Sequence, residues 1–135
     1  MRKIVATLML LLITTSVVCG QSRNRNRAWL NGTWEGTGYQ MDNNELWTML
    51  LTVKGNRYRI EYPSLKCGGR WRPISIKRNI ARFREIISIG KEACADQGTV
   101  VIQRLSRRQI AFRYVNQGEV EVTSSSILNR RKGKS

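Results

Sequence analysis

A chain of 135 residues has room for one domain with a modest core. It contains no histidine, which removes the usual general base, the usual partner of a catalytic cysteine and a common zinc ligand. Its 24 Lys and Arg against 9 Asp and Glu give a net charge of +15, a field that repels basic partners and favours anionic ones.

Arg2 and Lys3 precede an apolar run, IVATLMLLLI (4–13), that is too short to span a bilayer comfortably, and TTSVVCG follows. This is the layout of a secretory signal peptide over residues 1–20, with Val18 and Gly20 at the small-residue positions and cleavage after Gly20. A lipoprotein signal acylated at Cys19 ranks second, because Val18 is bulky for the position before the cysteine. No second long apolar run follows, so the expected mature protein is periplasmic or extracellular and not transmembrane. Without Arg2 and Lys3 the chain keeps 22 cations against 9 acids, or +13, beyond the ~2–8 that solubility asks of a small domain.

QSRNRNRA (21–28) alternates arginine with polar residues and reads as a basic, flexible tail. A single domain is expected over 29–130, with a second basic tail at 131–135. TWEGTGYQM (33–41) is a first strand. LWTMLLTV (46–53) sets Trp47, Met49, Leu51 and Val53 on one face, and RYRIEY (57–62) does the same with Tyr58, Ile60 and Tyr62. KGN (54–56) is the hairpin turn between them. A short WRPISI (71–76) is followed by NIARFREIISI (79–89), GTVVIQRLS (98–106), QIAFRYV (109–115) and VEVTSSSIL (120–128). About eight short strands joined by hairpins, with no convincing helix, predict an all-β, up-and-down barrel or a related sandwich. A barrel also leaves no exposed edge.

Alternation places Glu85 beside Phe83 and Ile87 on the inner face, where a carboxylate is costly unless paired. A bulge that turns it outward, or an inward arginine, is the favoured explanation; a polar group at the floor of a ligand cavity is the other. Cys67 and Cys94 remain once Cys19 is removed, and two cysteines in an exported chain are most simply one disulfide. Around it, Tyr62 ends a strand, Pro63 stops pairing, Leu65 covers the barrel mouth, and Gly68 and Gly69 supply a tight turn before the next strand.

The segments YPSLKCGGRW (62–71), FREI (83–86), CADQGTVVI (94–102) and SSSILNR (124–130) together resemble a small all-β module of bacteria. That module occurs as a free exported protein and as an extracytoplasmic appendage of some serine/threonine kinases and caspase-like proteins. Its pattern is an early Trp-x-Gly, Tyr-Pro-x-Leu-x-Cys-Gly-Gly, a glutamate before an isoleucine, and a second cysteine followed by Asp and Gly. The resemblance spans about residues 33 to 130 and implies a disulfide-linked β domain, with no activity attached. This chain departs from the pattern in its arginine density and its two basic tails. A weaker likeness is to the calycins, the lipocalin-like barrels. NGTWEG (31–36) holds Gly32-x-Trp34, and in those barrels an arginine from the last strand lies over that tryptophan; Arg130 or Arg131 is suitably placed here.

Enzymatic function is not expected, nor is a cofactor or metal. Ser124, Ser125 and Ser126 read as solvent-facing strand residues without a base, and Glu61, Glu85, Glu119 and Glu121 only as strand positions. A binding module fits better. Arg70-Trp71-Arg72, Arg82-Phe83-Arg84 and Arg113-Tyr114 interleave cations with aromatics. Alternation turns Phe83 and Tyr114 inward and leaves Trp71 as the aromatic expected at the surface. Arg70, Arg72, Arg82 and Arg84 are the candidate anion-binding residues, with the 23–27 and 130–134 tails contributing. The expected partner is an anionic lipid, a glycan or an acidic protein; nucleic acid suits the charge, but export disfavours it. The alternatives are an inhibitor or immunity protein against an acidic enzyme, and a calycin-like barrel that holds a small ligand.

Overall fold

The computed structural model describes residues 21–133, so the expected signal peptide with Cys19 lies outside the described residues, as do the last two residues of the second tail. Among the described residues eight strands follow one α-helix. They are β1 (Gly32–Gln40), β2 (Leu46–Lys54), β3 (Arg57–Tyr62), β4 (Cys67–Ile76), β5 (Ile80–Ile89), β6 (Thr99–Arg104), β7 (Gln109–Val115) and β8 (Ser124–Arg130). Each pairs antiparallel with its neighbour in sequence, and β1 pairs with β8, so the sheet closes into an up-and-down barrel. The expected all-β barrel is the structure.

Alternation produces the core. Leu51, Ile60, Phe83, Ile87, Ile102, Ile110 and Leu128 are wholly enclosed, each stabilising the fold by roughly 1.5–3 kcal/mol through burial. An aromatic file runs through the middle: Tyr58 on Phe83 at 4.9 Å between ring centres, Phe83 by Trp71 at 5.5 Å, Trp71 on Phe112 at 5.8 Å, and Phe112 by Tyr114 at 6.4 Å. Trp71 is therefore inside, 2% exposed, and the expectation that it sits at the surface is overturned. Its own alternation between two outward arginines decides its direction, and the adjacent glycines do not.

Three local expectations also change. Residues 21–28 form a helix, α1 (Gln21–Ala28). Its sequence has little helical drive, but Arg25 and Arg27 lie in its last turn, where cations complement the helix dipole. Its C-terminal end is anchored by Trp29 and Leu30, both buried, and Arg27 donates to Asn56 Oδ1 at 3.0 Å. The corner after β3 is a 3-10 turn over Pro63–Leu65, closed by Lys66 at φ 54°. Gly68 and Gly69 are already in β4, and their role is close approach: a Cβ on Gly69 would run into the carbonyl oxygen of Ile86, and one on Gly68 would lie 2.8 Å from that of Ile60. Finally, β8 starts at Ser124, so Ser124 and Ser126 face inward. They donate to Gln40 Oε1 and the Thr37 carbonyl, at 2.7 and 2.6 Å.

One end of the barrel is sealed. The Arg130 guanidinium lies 4.1 Å from the Trp34 ring centre. It donates to the carbonyls of Arg107, Trp29 and Asn31, while Trp34 Nε1 donates to the Leu30 carbonyl and Trp29 Nε1 to that of Lys77. The expected pairing of Trp34 with Arg130 is thus present. Arg131 instead joins Glu35 on the outside, at 2.8 Å. Among the described residues no helix is long and apolar enough to cross a membrane.

Candidate functional site

The other end is a mouth. Cys67, at the start of β4, is bonded to Cys94 in the β5–β6 loop, with Cα atoms 6.3 Å apart across 27 residues. The loop is fastened a second time by Asp96, whose Oδ1 accepts from the amides of Ile87 and Gln97 at 2.9 and 2.8 Å. Gly98 then lies so close to Tyr114 that a Cβ would strike its ring, and the Gly98 amide donates to the Tyr114 hydroxyl at 3.1 Å. Below this lip a cavity of about 170 Å³ opens, with Glu85 at its floor and Trp47, Tyr62, Leu65, Phe112 and Tyr114 on its walls.

Glu85 keeps its inward place in β5 and is 2% exposed. Among the described residues it has neither the outward bulge nor an arginine partner. Tyr62 donates its hydroxyl to Glu85 Oε2 at 2.6 Å, and Trp71 Nε1 donates to the same oxygen at 2.7 Å. Burial raises the carboxyl's pKa to about 7, and the two hydrogen bonds only partly oppose that. Burial first, and then the neighbouring Glu85, push the Tyr62 hydroxyl well above its ordinary range, and Tyr114 is raised for the same reasons. Of the other carboxylates in the sequence reading, Glu61 sits on the outer face and bonds Arg59, while Glu119 and Glu121 are exposed in the loop before β8.

The second feature is the outer wall. Arg70, Arg72 and Arg82 are exposed and Arg84 is half-buried, on the adjacent strands β4 and β5. Arg72 stands directly opposite Arg84 in the ladder. On the other side of β4, Arg59 stands opposite Arg70. The four predicted arginines are thus brought onto one face, and Arg59 extends the row onto β3. Sequence reasoning missed Arg59, Arg57 and Lys66; the outward alternation of the two arginines was visible, but the β3–β4 register and the turn that presents Lys66 were not. Beside this row runs a surface groove of about 940 Å³ over β3 and β4, lined by Arg57, Arg59, Lys66 and Arg70 and passing over Gly68 and Gly69. The described residues contain two ion pairs, Arg59–Glu61 and Arg131–Glu35, and Arg84 donates to the Gln97 carbonyl. Arg130 belongs to the seal and Arg131 to Glu35, which removes both from the expected anion-binding tail.

No family model, no curated protein and no solved structure matches the chain.

Proposed function

We propose that this chain is an exported, non-enzymatic binding module whose β3–β5 wall recognises an anionic envelope component or an acidic protein. The observation that carries this reading is the ladder of like charges, Arg59 opposite Arg70 and Arg72 opposite Arg84. Directly opposed like charges destabilise a sheet, and of these four arginines only Arg59 has an acid partner among the described residues. An anion laid across β4 relieves that repulsion and gains charge-assisted hydrogen bonds. The Cys67–Cys94 bond suits an oxidising compartment, in keeping with the periplasm or the outside of the cell.

The groove alongside the row supports a second reading, an acidic protein segment held as an inhibitor holds its target enzyme. A flat lipid surface would meet the arginines without entering the groove.

Binding to anionic vesicles and to a soluble acidic polymer is titrated at rising salt, for the wild type and for a variant with Arg70, Arg72, Arg82 and Arg84 changed to glutamine. The expected result is affinity that falls steeply with salt, because exposed charges are screened within about 8–10 Å, and a large loss in the variant. Salt-independent binding, or a variant that binds as well as the wild type, rules the wall out.

A further inference from the structure

The mouth presents the opposite chemistry to the wall. In a chain with 24 Lys and Arg, the one buried carboxylate among the described residues takes part in neither of their ion pairs. Its two donors are neutral, a phenol and an indole, and both use Oε2, which leaves Oε1 to the cavity. The charge that acts on it is negative: Asp96 raises its pKa from the β5–β6 loop, and Glu45 lines the rim. Four aromatic side chains surround the same space, and aromatic rings attract cations through their electron-rich faces. The cavity holds the volume of about five or six waters, enough for a small organic group and too little for a lipid chain.

We propose that the mouth cavity is a binding site for a small organic ammonium ion, held by the Glu85 carboxylate and caged by Trp47, Tyr62, Phe112 and Tyr114. The ligand's charge replaces the missing cation beside Glu85. Its alkyl part takes the aromatic walls. The disulfide and the Asp96 bonds hold the lip of the site in place, so little ordering is lost on binding. This site is independent of the arginine wall, and either can fail without the other.

Choline and butylammonium serve as probes, choline beside dimethylbutanol, its uncharged isostere with carbon in place of nitrogen, and butylammonium beside butanol. They are titrated into the oxidised protein at about pH 8, where Glu85 is ionised, and followed by tryptophan fluorescence and calorimetry. At least one ammonium is expected to saturate at one per chain and to bind about tenfold or more tighter than its neutral counterpart. Glu85→Gln should remove that preference while the protein stays folded, and Trp47→Leu should weaken it. A third arm needs no variant: at about pH 5 the wild type should lose about tenfold or more in ammonium affinity as Glu85 takes up a proton. Tyr62 from β3, Tyr114 from β7 and Glu45 line the same space, Asp96 acts on Glu85 from the β5–β6 loop and Arg84 acts on Tyr114, and the two tyrosines stay neutral across this range. Equal binding of ammonium and alcohol, an unchanged preference in Glu85→Gln, or no saturation by either ammonium overturns the proposal.

Discussion

The two ends of the barrel use similar residues for opposite purposes. At the sealed end, Trp29, Trp34 and Arg130 satisfy one another: both indole N–H groups reach carbonyls, and the guanidinium covers a ring and donates to three carbonyls from distant parts of the chain. At the mouth, Trp47, Tyr62 and Tyr114 surround a carboxylate that lacks a cation. Aromatic residues with a charge make a lock when the charge finds enough partners, and a receptive site when it does not. The sealed end is stability already spent on the fold; the mouth keeps an interaction in reserve.

The comparison breaks first at the covalent staple of the mouth. Cys67→Ser and Cys94→Ser should each lower stability by roughly 3–4 kcal/mol, the chain-entropy estimate for a loop of this length, and the double variant should be no worse. Denaturant midpoints that match the wild type, or losses that add, would refute this. Arg130→Ala tests the sealed end. It removes the ring contact and three hydrogen bonds to carbonyls, that to Trp29 part-buried, for a loss of about 2–3 kcal/mol by the same measurement. A loss below about 0.5 kcal/mol would place Arg130 among ordinary surface arginines.

Glu85→Gln should act in the reverse direction. The folded carboxyl has a pKa of about 7 against 4.5 for the free side chain, so the fold prefers it protonated. That contribution is complete below about pH 4.5 and is lost as the pH rises through about 7. The glutamine variant should therefore gain stability relative to the wild type between about pH 5 and pH 8, by about 2 kcal/mol, with both donors still bonded. Parallel pH profiles for the two proteins would remove the idea of a strained acid. The smallest effect is expected at Tyr58, whose hydroxyl is the one buried side-chain polar atom without a partner among the described residues. Tyr58→Phe should be stabilising by about 1 kcal/mol, and a destabilised variant would mean that a water occupies that position.

Much of the barrel is visible in the alternation of its strands, because a period of two is a local property. Met49, Leu51, Ile60, Phe83 and Ile102 declare their direction without reference to any partner. The site is less visible, because it depends on register. Glu85 reads as inward, yet Tyr62 and Trp71 are 23 and 14 residues away and reach it only once β3, β4 and β5 are in place. Trp71 carried a usable signal in its position between Arg70 and Arg72. Gly68 and Gly69 resemble a turn in sequence, because the same residue serves both a bend and the close passage of two backbones. The helix α1 has only a weak local signal, the arginines of its last turn, and it is fixed largely by Trp29 and Leu30 beyond its end and by the bond from its own Arg27 to Asn56.

The pairing of β1 with β8 has a kinetic meaning. Trp34 meets Arg130 across almost the whole domain, and Arg130 donates to Trp29 over 101 residues. Contacts this distant must form against a large loop-closure entropy, which places the protein among slow folders. Until β8 arrives, β1 and β7 are bare edges able to pair with another chain, and Trp34 has no cover. Closure therefore depends on the last strand: without its pairing to β1 and β7 the sheet keeps two open edges, and Arg130 has no route to the Trp34 ring.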